Sequence, residues 1–222
     1  MNEFDNKIIC GDCLEVMKDW PDGCVDLVLT DFPYGVGIEY DTFVDTPENV
    51  KALVHKAMPE LLRVSRRLVL TCAIRQQCFY PEPTWVLCWL NRAGCYCNPW
   101  GFTCWQPILV YGKDPYLEHH MGSRPDVIEH SESSEKNGHP CPKPIMFWKK
   151  LLLRCSVDAN DLILDPFCGS GTTCVAAKML GRRFIGIDIS EEYCQIARDR
   201  LRAVDTGVPV KEARAGQGAL FE

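Results

Sequence analysis

The run Asp165-Pro166-Phe167-Cys168-Gly169-Ser170-Gly171-Thr172-Thr173 follows the apolar segment Leu162-Ile163-Leu164 and opens a helical pattern. Glycines between a strand and a helix permit a tight turn and close backbone approach to a ligand. Asp188 closes the next apolar run, about 20 residues on, where a carboxylate can accept hydrogen bonds from ribose hydroxyls. The glycine pattern is not G-x-G-x-x-G, and an acid precedes it. An anionic side chain suits an ammonium or sulfonium better than a pyrophosphate, which argues against a dinucleotide oxidoreductase. A second turn, Asp31-Phe32-Pro33-Tyr34, ends the apolar run Val25–Thr30. The carboxyl end of a strand is where open α/β sheets bind ligands, so Asp31 is the candidate reactive carboxylate.

Positioning two such turns requires alternating strands and helices, hence a mostly parallel α/β sheet. The hydrophobic periodicity predicts strands at Lys7–Gly11, Val25–Thr30, Leu68–Ala73, Leu162–Leu164 and Arg183–Ile187. Helices are predicted over Leu14–Asp19, Pro47–Val64, Ile145–Cys155, Thr172–Leu180 and Glu191–Val204. Thr46 is placed as an N-cap, with Ala52, Leu53, Ala57 and Leu61 on one helix face. Thr84–Leu90 and Gln106–Tyr111 read as the antiparallel part of the sheet. Between Gly112 and Pro144 the periodicity vanishes, as in a functional or disordered segment. A flexible tail begins at Asp205.

The chain has 222 residues, 46% of them hydrophobic and 24% charged, an ordinary globular composition with room for one good core. No apolar run approaches the roughly 18 residues that span a bilayer. The N-terminus lacks a signal-peptide pattern, so the cytoplasm is the expected compartment. The net charge of −6 argues mildly against a nucleic-acid partner. Local groupings could still form a positive face: Arg63, Arg66, Arg67 and Arg75 in one stretch, Arg124, Lys136, Lys143 and Lys149 with four histidines in another. Of fourteen cysteines, Cys72, Cys88, Cys155, Cys174 and Cys194 fall in strands or helices as small buried hydrophobes. Cys88, Cys95, Cys97 and Cys104 lack the paired C-x2-C knuckles of a structural zinc site, and no metal is expected.

The Asp165–Thr173 turn resembles, almost letter for letter, the cofactor motif of amino-group DNA methyltransferases. Asp31-Phe32-Pro33-Tyr34 resembles their D-P-P-Y motif. His139-Pro140-Cys141-Pro142-Lys143-Pro144 resembles the H-P-x-x-K-P element, and Gly11-Asp12-Cys13 the G-D-x element. The order, catalytic turn first, matches the permuted β group of the family. The resemblance implies a Rossmann-like methyltransferase fold, with a mostly parallel seven-stranded sheet, an antiparallel strand and helices on both faces. It implies one domain over residues 1–204, with a short recognition insert at about 82–139 and a tail over 205–222.

The implied cofactor is S-adenosyl-L-methionine and the implied partner is DNA. Asp165 through Thr173, that is Asp165, Pro166, Phe167, Cys168, Gly169, Ser170, Gly171, Thr172 and Thr173, would hold the methionine end. Asp188 would meet the ribose, Asp12 and Cys13 the adenine, and His139, Lys143 and Pro144 would close the pocket. Asp31, beside the donor, and the Phe32 carbonyl would accept both N–H bonds of an exocyclic amine, whose lone pair the ring delocalises. That favours a pyramidal nitrogen in line with the methyl group. Tyr34 would stack on the target base once it leaves the duplex.

The leading Asp favours adenine N6, with cytosine N4 as the alternative and a catalytically weak DNA-binding relative as another. Phe32 stands where the family carries Pro, without a fixed φ and with a large ring. Cytosine C5 chemistry needs a nucleophilic Cys, but Pro140-Cys141 lies in the cofactor-closing element. In the recognition insert Trp85, Trp89, Trp100 and Trp105 are expected in the core more often than as base wedges. Its shortness suggests a short target site or a homodimer. The tail Gln217-Gly218-Ala219-Leu220-Phe221 resembles the Q-x-x-L-F peptide that docks on bacterial sliding clamps, through Gln217, Leu220 and Phe221.

Overall fold

The computed structural model describes residues 5–94, 96–131 and 143–207. Its first half runs β1 (Lys7–Cys10), α1 (Cys13–Met17), β2 (Leu27–Asp31), α2 (Pro47–Val64) and β3 (Leu68–Thr71). After a 3-10 segment at Ile74–Phe79 come β4 (Trp85–Leu90), β5 (Tyr96–Asn98), β6 (Gly101–Thr103) and β7 (Trp105–Tyr111). Then follow α3 (Pro115–Glu118), β8 (Val127–Glu129), α4 (Ile145–Cys155), β9 (Leu162–Asp165), α5 (Thr172–Met179), β10 (Arg183–Asp188) and α6 (Glu191–Thr206).

The main sheet has the order β1-β10-β9-β2-β3-β7-β4-β8, and β5 with β6 forms a separate hairpin. Only β7 among these eight strands runs against the rest. The sheet is therefore one strand wider than expected. The extra strand, β8, lies in the stretch where no periodicity was visible. Three residues are too few for alternation to show, and β8 is held by its pairing with β4.

Alternate strand residues feed two cores. Leu27, Leu29 and Ile163 face α4, α5 and α6, while Val28, Leu162 and Leu164 face α1 and α2. Helices thus cover both faces, as a buried parallel sheet requires. Thr46 caps α2, its hydroxyl accepting from the Asn49 N–H at 3.2 Å. The buried stripe of α2 is Val50, Val54, Ala57, Met58, Leu61 and Val64, the set that 3.6 residues per turn aligns. Ala52 and Leu53, expected on that stripe, lie to one side of it. Helix α6 runs two residues beyond its expected end, and Gly207 closes it in the left-handed conformation.

The chain leaves β2 through α2 for β3, and leaves β9 through α5 for β10, in opposite directions along the sheet. The strand order therefore reverses between β2 and β9, which are paired in parallel. Crevices at such a switch point, beyond the carboxyl ends of the strands, are ligand sites. Both acid-bearing turns open into this one.

Candidate active site

A cleft of about 450 Å³ occupies the switch point. Asp165, the last residue of β9, is buried. Its Oδ1 accepts the Thr30 hydroxyl at 2.7 Å and the Phe167 N–H at 3.2 Å. Thr30 and Asp165 are 135 positions apart, so the pairing of β2 with β9 creates this contact. Burial pushes the Asp165 carboxyl up to about 6. Trp148 Nε1 donates to Thr173 Oγ1 at 2.6 Å, fixing the far end of the turn. Asp188 accepts from the N–H groups of Gly169 at 2.7 Å and Ser190 at 2.9 Å. Burial raises its carboxyl as well.

The glycine at 171 answers to packing. Its φ is 78°, and a Cβ there would meet the Ala197 Cβ of α6 at 2.7 Å. Arg200 of α6, buried, donates to the Ser170 carbonyl at 2.6 Å and to Thr172 Oγ1 at 3.1 Å. Helix α6 thus clamps the turn from behind. Asp12 N-caps α1, its Oδ1 accepting from the Leu14 N–H at 2.8 Å.

Across the cleft, Asp31 ends β2. Its Oδ1 accepts the hydroxyls of Thr71 and, at 2.9 Å, Tyr34. Its Oδ2 takes the Lys143 ammonium, which also lies 4.8 Å from the Tyr34 ring centroid. The Tyr34 hydroxyl is 3.2 Å from Gln106 Oε1. Burial and the neighbouring Asp31 hold the phenol well above its usual range, so it stays neutral. The Phe32 ring turns into the core, edge-on to Tyr80 at 5.5 Å and tilted against Phe167 at 4.7 Å. The residue that departs from the family pattern therefore braces the acid-glycine turn through Phe167.

The cleft is lined by Asp12, Cys13, Asp31, Pro33 and Lys143. It is also lined by Asp165, Pro166, Phe167, Cys168, Gly169, Ser170, Thr172, Thr173 and Asp188. Phe32, Tyr34, Pro144 and Gly171 are not among the lining residues. His139 lies outside the described residues. Sequence reasoning missed Thr71, Gln106, Trp148 and Arg200, which act through partners distant in the chain. It also missed Asp45, whose carboxylate accepts from the N–H groups of Gly35 at 2.6 Å and of Val36 and Ile38 at 3.0 Å. That shapes the loop carrying Tyr40, Thr42 and Phe43 along the cleft. Of the four arginines that could form a positive face near residue 65, Arg75 is exposed and the other three are ion-paired. Arg63 pairs with Asp22 and Glu60, Arg66 with Asp26, and Arg67 with Glu118.

The DNA methylase family model N6_N4_Mtase matches residues 81–199, a range holding Lys143, Asp165 and Asp188. YubD of Escherichia coli K12, which carries a provisional methylase name, is 30% identical over 90% of this chain and 91% of its own. The chain belongs to this DNA methylase family. Another relative of this methylase, the DNA adenine methyltransferase YhdJ of E. coli K12, is 26% identical over 87% of this chain and 82% of its own. Among solved structures, the M1.HpyAVI–SAM complex superposes with a TM-score of 0.60 at 24% identity, covering 88% of this chain and 98% of the other. The cytosine-N4-specific PvuII DNA methyltransferase gives 0.68 at 14% identity, covering 94% and 89%. Both share the methylase's fold. Among the described residues no helix is long and apolar enough to cross a membrane.

Proposed function

We propose that this methylase transfers a methyl group from S-adenosylmethionine to N6 of adenine in DNA, on a base turned out of the duplex. The observation that carries the reading is the meeting of Asp31 and Asp165 across the switch point, one on each of two adjacent strand ends. The donor set fits the cofactor. Four carboxylates, Asp12, Asp31, Asp165 and Asp188, face the cleft against two lysines, Lys56 and Lys143. Such a site suits a sulfonium, an ammonium, ribose hydroxyls and an adenine amine, and repels a pyrophosphate. The cofactor, when bound, supplies an electrophilic methyl group on a sulfonium.

The chain's own residues do the rest. Asp165, with Pro166 through Thr173, binds the cationic methionine end, and Asp188 the ribose. Asp12 keeps Oδ2 for the adenine amine while Oδ1 caps α1, with Cys13 beside it. Lys143 and Pro144 close the entrance. Asp31 and the Phe32 carbonyl accept the amine N–H bonds and orient the nitrogen lone pair. Pro33 shapes the wall, and Tyr34 holds Asp31 and offers a ring face. Lys143 and Thr71 keep the Asp31 carboxylate in one orientation. The leading Asp of the catalytic turn supports adenine over cytosine.

The test is incubation with labelled S-adenosylmethionine and mixed-sequence unmethylated DNA, digestion to nucleosides and mass spectrometry. N6-methyladenine is the expected product, and N4-methylcytosine would move the assignment to the other amine. Absence of methylated base with cofactor binding intact would refute the enzyme reading. Two partner interactions belong to the same proposal. A homodimer is tested by sedimentation. The clamp peptide of Gln217, Leu220 and Phe221 lies outside the described residues. Equal clamp retention of intact protein and a Leu220→Ala/Phe221→Ala form would refute that docking.

A further inference from the structure

Between β4 and β7 the chain leaves the sheet as a hairpin that the core does not use. Leu90 pairs with Trp105, and the Asn91 N–H bonds the Cys104 carbonyl at 2.7 Å, so the two strands run out together. Beyond them β5 and β6 pair from Tyr96↔Thr103 to Asn98↔Gly101. The tip is tied. Asn98 Nδ2 donates to Thr103 Oγ1 at 2.7 Å, and the Trp100 N–H donates to Asn98 Oδ1 at 2.7 Å. On this braced tip Trp100 is 99% exposed and Phe102 77% exposed. Trp89, by contrast, is buried and stacks on Phe147. Of the four tryptophans expected in the core only Trp89 lies there: Trp85 and Trp105 are exposed on the main sheet, and Trp100 is exposed because a two-stranded ribbon has no second layer to cover its rings.

Position and chemistry together point to an occupant. Strand β7 is antiparallel to β3, so its beginning lies at the edge of the sheet where the cleft opens. Gln106, one residue past the start of β7, touches Tyr34 of the catalytic turn. The hairpin rises from that same edge. From Ala93 to Gly112 the chain has no charged residue, so the tip has nothing with which to hold phosphate. Arg75, just after β3, is exposed, and Arg92 at the foot of the hairpin is exposed but ion-paired with Glu129 at 2.5 Å. Flat, uncharged rings on a braced support match the stacked bases of a duplex rather than its phosphates.

We infer that Trp100 is a wedge that enters the DNA base stack beside the target nucleotide and fills the gap that the extruded base leaves, with Phe102 packed behind it. The inference rests on the DNA methylation reading, since it requires a base to leave the duplex. An indole in the vacated space keeps the neighbouring pairs stacked and blocks return of the base.

Two measurements with Trp100→Ala and Trp100→Phe test it. In the first, full-length protein methylates one mixed-sequence DNA in duplex and in heat-denatured single-stranded form. Trp100→Ala is expected to lower kcat/KM on duplex by about 5- to 150-fold, the range for loss of one base–aromatic stack. Single-stranded DNA should change by less than about 3-fold, since nothing has to be wedged apart. Trp100→Phe should recover most of the duplex activity. The second needs no turnover: fluorescence titration with a duplex holding one abasic site and with its intact counterpart. Wild type should bind the abasic duplex more tightly with tryptophan quenching, and Trp100→Ala should lose both effects. Equal loss on both DNA forms, no loss on duplex, or no abasic preference in wild type would overturn the wedge. A changed sedimentation coefficient for Trp100→Ala would assign the tip to contact between copies of this chain, also overturning it. If wild type transfers no methyl group yet shows the abasic preference, the methylation reading fails and the stacking surface stands.

Discussion

Replacing Asp165 with Asn should make the unliganded protein more stable and the cofactor complex weaker. The carboxyl is held at about 6 against an ordinary 3.8, with burial as the dominant cause. That rise corresponds to at most about 3 kcal/mol at neutral pH. A carboxyl whose folded value is raised contributes its full stability below 3.8 and loses it as pH rises through 6. Wild type should therefore lose stability between pH 4 and pH 7 relative to Asp165→Asn. Asn keeps an Oδ1 for the Thr30 hydroxyl and the Phe167 N–H, so the turn need not rearrange. Urea unfolding at several pH values should give curves that converge near pH 4 and separate in favour of the variant by up to about 3 kcal/mol at pH 7.5.

Cofactor binding should behave in the opposite sense. A cation draws on the ionised carboxylate, so wild-type affinity for S-adenosylmethionine should rise with pH through 6 and then level. The variant loses a charge-assisted contact worth about 1.5–3 kcal/mol, roughly 10- to 150-fold in Kd. Calorimetry at pH 5 and pH 7.5 reads this directly. At 100 times Kd the cofactor adds about 2.7 kcal/mol to wild type, which should close or reverse the stability gap. An Asp165→Asn protein that is less stable than wild type at pH 7.5, with a difference independent of pH, would refute the reasoning.

Asp31→Ala should abolish methyl transfer while cofactor Kd, read by calorimetry, stays within about threefold, because Asp31 is assigned to the target amine. Tyr34→Phe keeps the ring and removes the hydroxyl bonded to Asp31; a kcat loss of about tenfold with little change in KM is expected in steady-state assays. Phe32→Ala removes a fully buried ring that touches Tyr80 and Phe167, and should lower urea stability by about 3–5 kcal/mol while raising cofactor Kd. Gly171→Ala drives a methyl into Ala197 at 2.7 Å in a left-handed backbone; a loss of about 1–3 kcal/mol should appear in the same urea unfolding curves.

What was legible in the sequence is local. The bounds of α2 and α4, the Thr46 cap and the acid-glycine turn after β9 follow from periodicity, capping and backbone freedom, which neighbouring residues set among themselves. The two turns were legible as motifs because their residue types and order are written along the chain. The eighth strand was not, since three residues carry no pattern and its pairing with β4 is what makes β8 a strand.

The tertiary structure decided the rest. Parallel pairing of β2 with β9 brings Thr30 to Asp165, and the return of β7 beside β3 brings Gln106 to Tyr34. Lys143 reaches Asp31 from 112 positions away. Phe32 became a core residue because the strand end points its side chain between Tyr80 and Phe167. Trp89 and Trp100 look alike in the sequence, eleven residues apart; one lies under a helix and the other beyond the edge of the sheet. Hydrophobic side chains are written into the chain, but whether a second layer covers them depends on where the folded chain has its edges.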